Sequence, residues 1–170
     1  RTMVNKVVVS TDCVCDLPQE LVDKYSIPIM YYYIQVGDAR FQDINEINSD
    51  CVLESLLGGT KEISTTCASV EEYVEFFQKI SENDRKTVIH ISIADHVSMG
   101  YTYASEAAKA FANVLVVDSG KLSGAMGLFV LVAADLAQKG ATKDIILQKL
   151  QGLGERINCS FMMRSAQCGE

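Results

Sequence analysis

Short β-branched runs alternate with amphipathic stretches along almost the whole chain, and that alternation restricts the fold more than any other feature. KVVVST (6–11), IPIMYYYIQV (27–36), TVIHISIA (87–94), NVLVVDS (113–119) and INCSFMM (157–163) read as strands. TVIHISIA carries apolar residues on both faces, as a strand covered on both sides does. Between the strands stand DLPQELVDKY (16–25), SDCVLESLL (49–57), VEEYVEFFQKI (70–80), YTYASEAAKAFA (101–112), LSGAMGLFVLVAADLAQKG (122–140) and ATKDIILQKLQGLGERI (141–157). In the VEEYVEFFQKI run, Val70, Tyr73, Val74, Phe76, Phe77 and Ile80 make one helical stripe. Strand–helix alternation predicts an α/β fold: a parallel sheet with helices on both faces and right-handed crossovers. Residues 1–163 form one domain on this reading. RSAQCGE (164–170) carries no finishing element and reads as a tail or the start of a second domain.

The helix ends carry their own signals. Asp16 fits an N-cap with Pro18 in the first turn and Gln19 at the capping-box position. Ser69 and Glu72 form a second capping box, Thr142 caps the last helix, and Gly140 closes the long apolar one. Asp38 to Asn48 is loop-like.

With Lys and Arg outnumbered by Asp and Glu, the formal net charge is −7 and the pI about 4.8. No basic run is present, which argues against nucleic acid and against an anionic membrane surface as partners. No apolar stretch is long enough to span a bilayer; the longest, AMGLFVLVAADLA (125–137), suits a buried core helix. RTMVNKVVVS lacks the long apolar region of a secretory signal. Six cysteines occur without a C-x-x-C pair, and only two histidines accompany them, so neither a metal site nor a cofactor is expected. The thiols read as reduced, and the protein as cytoplasmic.

Ligands of open α/β sheets bind beyond the C-terminal strand ends. Three segments there are rich in hydroxyls or acids: STDCVCD (10–16), ISTTCAS (63–69) and ADHVSMGY (94–101). Two of them open helices, whose free N–H groups suit an anion. Thr65, Thr66 and Ser98 complete such a site, and the absence of Lys or Arg from these segments favours a carboxylate over a phosphate. The plainer alternative makes Ser69 and Ser98 simple N-caps. No phosphate loop, no G-x-G-x-x-G after the first strand and no nucleophile elbow occurs. His90, inside an apolar strand, reads as a buried, hydrogen-bonded histidine; His96 lies in a loop. Tyr31 and Tyr33 share one strand face, either as aromatic cover for the sheet or as a lip over an apolar pocket.

The order of these motifs resembles the DegV family of bacterial fatty-acid-binding proteins. TDCVCDLP (11–18) is similar to the family's T-D-S-T-S-D-L-P at Thr11, Asp12, Asp16, Leu17 and Pro18. TTCAS (65–69) resembles T-S-Q-P-S, ADHVSMGY resembles S-x-x-L-S-G-T-Y at Ser98 and Tyr101, and DSGKLSGAMG (118–127) resembles D-S-x-x-x-S-x-G-x-G. FQD (41–43) fits the aromatic-x-D after the second strand. The resemblance implies a DegV N-terminal-domain-like fold and a binding protein, not an enzyme. It implies a fatty-acid carboxylate held by Thr65, Thr66 and Ser98, an acyl tail in an apolar tunnel, and presentation to a fatty acid kinase for phospholipid synthesis. Met99 and Gly100 stand where the family has Gly and Thr, so Met99 adds bulk beside the headgroup. Two alternatives remain at this level. One is a dihydroxyacetone-kinase-like enzyme subunit, acting on a small carbonyl or phosphorylated compound through His96 or Asp95. The other is a ligand-sensing domain of a larger regulatory protein.

Overall fold

A computed structural model describes residues 6–12, 17–31, 33–42, 63–92, 99–118, 123–156 and 162–165. Along the chain run β1 (Val7–Asp12), α1 (Gln19–Tyr25), β2 (Ile29–Met30), β3 (Tyr33–Val36), β4 (Ala39–Gln42) and β5 (Ile63–Thr66). They are followed by α2 (Val70–Ile80), β6 (Thr87–Ser92), α3 (Gly100–Ala108), β7 (Val114–Asp118), α4 (Ser123–Gln138), α5 (Lys143–Arg156) and β8 (Met162–Ser165). The fold is α/β, as the alternation predicts.

Five strands form the main sheet in the order β2-β1-β6-β7-β8. β2, β1, β6 and β7 are parallel, while β8 runs antiparallel to β7. Every residue of the central strand β6 is buried, which explains why its sequence shows no polar face. Alternate side chains feed two cores. Val7, Val9, Ile89, Ile91 and Val117 pack with Val22 of α1, Phe129, Val130 and Ala133 of α4, and Ile146 and Leu150 of α5. On the opposite face Val88, Val114 and Val116 pack with Tyr73 and Phe77 of α2 and Ala104 and Ala107 of α3. The apolar α4 run is therefore core, as its composition predicts.

Several local expectations change. The run 27–36 is two strands: β2 joins β1 in the main sheet, and β3 leaves it to pair antiparallel with β4 and β5 in a separate three-stranded sheet. Residues 39–42, read as loop, form β4 across a turn in which Gly37 has φ of 59°. Residues 63–66, read as loop, form β5. In each case the partner strand, not the local sequence, decides the conformation. Helix α1 begins at Gln19 with Pro18 at the N-cap position; Asp16, the cap expected from sequence, lies outside the described residues. The final strand is described at Met162–Ser165, overlapping the end of the expected 157–163 and continuing past it, while 157–161 lie outside the described residues. The expected helix 49–57 and the Asp12-to-Leu17 connection fall outside the described residues.

Candidate functional site

The C-terminal ends of β1, β6 and β7 carry a row of buried polar side chains on the face covered by α2 and α3. Ser10 on β1 is paired with His90 on β6, which is paired with Val116 on β7; two residues further on, Ser92 is paired with Asp118. Ser10, Asp12, His90 and Ser92 are fully buried, and Asp118 nearly so. Buried groups of this kind require partners. Asp12 Oδ1 accepts from the Tyr73 hydroxyl at 2.8 Å and lies 3.1 Å from His90 Nε2, while Asp12 Oδ2 accepts from the Ser92 hydroxyl at 2.7 Å. The Ser10 hydroxyl lies 2.8 Å from His90 Nδ1. Tyr73, Phe76 and Phe77 close round the imidazole edge-on, with ring centroids 5.7, 6.0 and 5.2 Å away. Thr11, on the other face of β1, donates to the Ile91 carbonyl at 2.9 Å.

Helix α2 links this row to the small sheet. Ser69 Oγ accepts from the Glu72 N–H at 3.2 Å, and Glu72 Oε2 accepts from the Ser69 N–H at 2.7 Å, so the predicted capping box is formed. The same Glu72 accepts through Oε1 from the Tyr33 hydroxyl at 2.8 Å. Successive residues of α2 thus bind different sheets: Glu72 holds β3, and Tyr73 holds β1. Tyr33 accordingly does more than cover the sheet.

Just before α2, Cys67 is half-buried, and the backbone N–H of Met99, at the start of α3, is turned toward it. Burial pushes the Cys67 thiol above its ordinary value. The backbone N–H groups of Met99 and of Cys67 itself pull against that shift, and the carboxylates of Asp12 and Glu72 push with it. The end of β5, the start of α2 and the start of α3 therefore meet at Cys67, which feels the charge of Asp12.

The residues singled out by sequence divide as follows. Thr65 and Thr66 are the last two residues of β5, paired with Ile34 and Tyr33. Met99 occupies the N-cap position of α3 without a side-chain cap and is 50% exposed; Gly100, the first residue of the helix, is buried. Ser98, Asp95 and His96 lie outside the described residues. His90 is the buried, hydrogen-bonded histidine that its strand position predicts. The Asp12–His90–Ser92 connection was not anticipated, although the period-2 spacing of S-x-D in β1 and H-x-S in β6 places each pair on one face.

A cleft of about 280 Å³ opens at the other, N-terminal edge of the sheet, lined by Lys6, Lys24, Tyr25 and Lys86 among others. Lys86 is paired there with Glu82 at 2.6 Å, and Lys24 sits in the last turn of α1, where a cation offsets the helix dipole. Its chemistry is that of helix ends, far from the polar row. Among the described residues no group of His, Cys, Asp and Glu has the arrangement of a metal centre, and no helix is long and apolar enough to cross a membrane.

Residues 6–167 match the family model for the DegV family of uncharacterised proteins. The chain belongs to the DegV family. A DegV domain-containing protein of Clostridium perfringens is 29% identical over 164 residues, covering 95% of this chain and 58% of the relative. In three dimensions the chain is similar to a fatty-acid-binding DegV family protein from Thermus thermophilus, with a TM-score of 0.78 and 26% identity over 88% of this chain and 54% of that one. It is also similar to a hypothetical protein from Thermotoga maritima that reveals fatty-acid-binding function, with a TM-score of 0.73 and 27% identity over 90% of this chain and 55% of that one. The chain spans just over half the length of these DegV relatives.

Proposed function

We propose that this protein binds a long-chain fatty acid, with the carboxylate at the junction of β5 and the start of α3 and the acyl tail in an apolar tunnel. The observation that carries this reading is the approach of the Met99 backbone N–H to Cys67. It brings the end of the Thr65–Thr66 strand to a helix N-terminus, where a single negative charge is favoured. The headgroup residues are then Thr65, Thr66, Ser98, Met99 and Gly100. Two relatives of known structure, each above a quarter identical, are described as fatty-acid-binding, which supports the ligand class.

On this reading residues 1–163 are the binding unit, the protein works in the cytoplasm, and it is a carrier and not an enzyme. Its partner is a fatty acid kinase, to which it presents the acid for phospholipid synthesis. Each buried methylene contributes about 0.8 kcal/mol, so the tail supplies most of the affinity and the headgroup contacts set orientation.

Native mass spectrometry of the protein as purified, followed by solvent extraction, tests the proposal. A bound long-chain acid released by solvent is the expected result. A protein that carries no acid and takes up none on incubation with oleate contradicts it. Ser98→Ala should weaken oleate binding by about 2 kcal/mol, the size of a hydrogen bond to a charged group.

A further inference from the structure

Among the described residues three large apolar side chains are strongly exposed: Met99, Leu128 and Ile145. Met99 stands at the proposed headgroup site. The other two border one groove, between α4 and α5. A cavity of about 470 Å³ opens there, lined by Val132, Gln148, Lys149, Gly152, Leu153 and Arg156. Leu128 is one turn before Val132 on α4, and Ile145 is one turn before Lys149 on α5, so the groove follows the helix pair for about three turns. Its floor is Val132 and Leu153, which pack on the core beneath. Open apolar surface shaped as a groove marks contact with another molecule.

Gly152 weakens α5, and nothing inside the molecule requires it. A helix interior disfavours glycine, yet a Cβ at this position would meet nothing within 4 Å. Its bare backbone opens into the groove, where a second backbone can come close. Lys149 and Arg156 stand one turn to either side of it, and among the described residues neither belongs to an ion pair. Asp135 of α4 is held by Lys139 and the Tyr25 hydroxyl. Asp144 and Glu155 fall off the helical line of Ile145, Lys149, Gly152 and Arg156. Two unpaired cations on a chain of net charge −7 favour an acidic partner. A concave groove receives a helix, whereas a bilayer surface is flat. We propose that the α4–α5 groove docks an acidic amphipathic helix of a partner protein. Its apolar side chains lie against Leu128, Val132 and Leu153, its backbone crosses Gly152, and its carboxylates meet Lys149 and Arg156. Helix α4 follows the C-terminal end of β7, and α5 returns toward β8, whose Met162 is paired with Asp118 at that end. The Leu128–Arg156 end of the groove thus points to the sheet edge that carries the proposed headgroup site. The inference goes beyond the fatty-acid reading and does not depend on it.

The test is amide NMR of the full chain, titrated with two designed helical peptides. Both carry leucine at every third or fourth position and alanine between. One is flanked by Glu, the other by Lys at the same positions. The Glu peptide should give saturable shifts at residues 128–132 and 145–156, and the Lys peptide should bind about tenfold more weakly. Gly152→Leu fills the gap and favours the helix, and it should weaken the Glu peptide about tenfold. Lys149→Glu together with Arg156→Glu should reverse the order, so that the Lys peptide binds more tightly. A purely structural role of these residues would not produce that reversal. No saturable shift in the groove at millimolar Glu peptide overturns the inference, and so does equal affinity for the two peptides. Sedimentation with phosphatidylglycerol vesicles that the charge reversal abolishes overturns it in favour of a lipid surface. Self-association that Gly152→Leu abolishes overturns it in favour of a second copy of the chain. If Gly152→Leu does not fold, the reversal of peptide order decides the matter. No fatty acid enters the experiment, so its outcome is separate from that of the fatty-acid reading.

Discussion

Asp12 gathers Tyr73, His90 and Ser92 from two other elements onto one carboxylate. Removing a single donor weakens the hydrogen bonding of a buried carboxylate. Tyr73→Phe, which keeps the ring and deletes the hydroxyl, should therefore destabilise the fold by about 1–3 kcal/mol, measured by urea unfolding. A loss within error would mean that the Tyr73 hydroxyl bond has no net worth. Cys67 gives a second expectation at this scale. Its thiol is held above the ordinary value, chiefly by burial, so at a given pH it carries less thiolate than a free cysteine. Alkylation by iodoacetamide, followed on the Cys67 peptide by mass spectrometry, should be slower than for glutathione at pH 8 and should climb only at higher pH. A rate equal to that of glutathione would contradict it. The ingredients of the Asp12 network are visible in the sequence as S-x-D and H-x-S, each on one strand face. Their meeting is not, because Ser10 and His90 are 80 positions apart.

At the scale of elements, α2 is fixed at its start. The Ser69–Glu72 capping box satisfies N–H groups that the first turn would otherwise leave open. Ser69→Ala should cost about 1 kcal/mol in stability, and thermal or urea unfolding reports it directly. Two glycines make a contrasting pair. Gly140 follows α4 with φ of 85°, and a Cβ there would touch nothing within 4 Å, so only the backbone opposes a side chain. Gly140→Ala should destabilise by about 1–2 kcal/mol, the cost of a left-handed conformation for a residue with a Cβ. Gly152 lies inside α5 and also has open space around its Cβ position. There the helix gains, and Gly152→Ala should stabilise by about 0.5–1 kcal/mol. The two unfolding curves should move in opposite directions; movement in the same direction would refute the backbone account of one of them. These features were readable beforehand because a cap or a terminating glycine acts over three or four residues. Thr142, whose hydroxyl accepts from the Ile145 N–H at 3.4 Å, is another.

At the scale of the whole molecule, two sheets are joined through α2. The main sheet is covered on both faces, and its central strand β6 has no exposed residue. The small sheet β4-β3-β5 is tied to α2 by the bond from Tyr33 to Glu72. Local opening should therefore begin in the small sheet and reach β6 last. Amide hydrogen exchange should show the slowest exchange at residues 88–91 and faster exchange at 33–36 and 63–66. Equal protection in the two sheets would mean that they open as one unit.

The sequence by itself determined the α/β class, the two-sided burial of the main sheet, the helix stripes and most helix ends, and through its motif order the family. Each of these follows from side-chain periods of 2 or 3.6 or from neighbours a few residues away. Only the tertiary structure decided where 27–36 divides, that 63–66 is a strand, and that β8 runs against β7. It alone brought Cys67 against Met99 and Asp12 against His90. A strand's partner and direction, and the environment of a buried charge, are set by residues distant in the chain. No local pattern carries them.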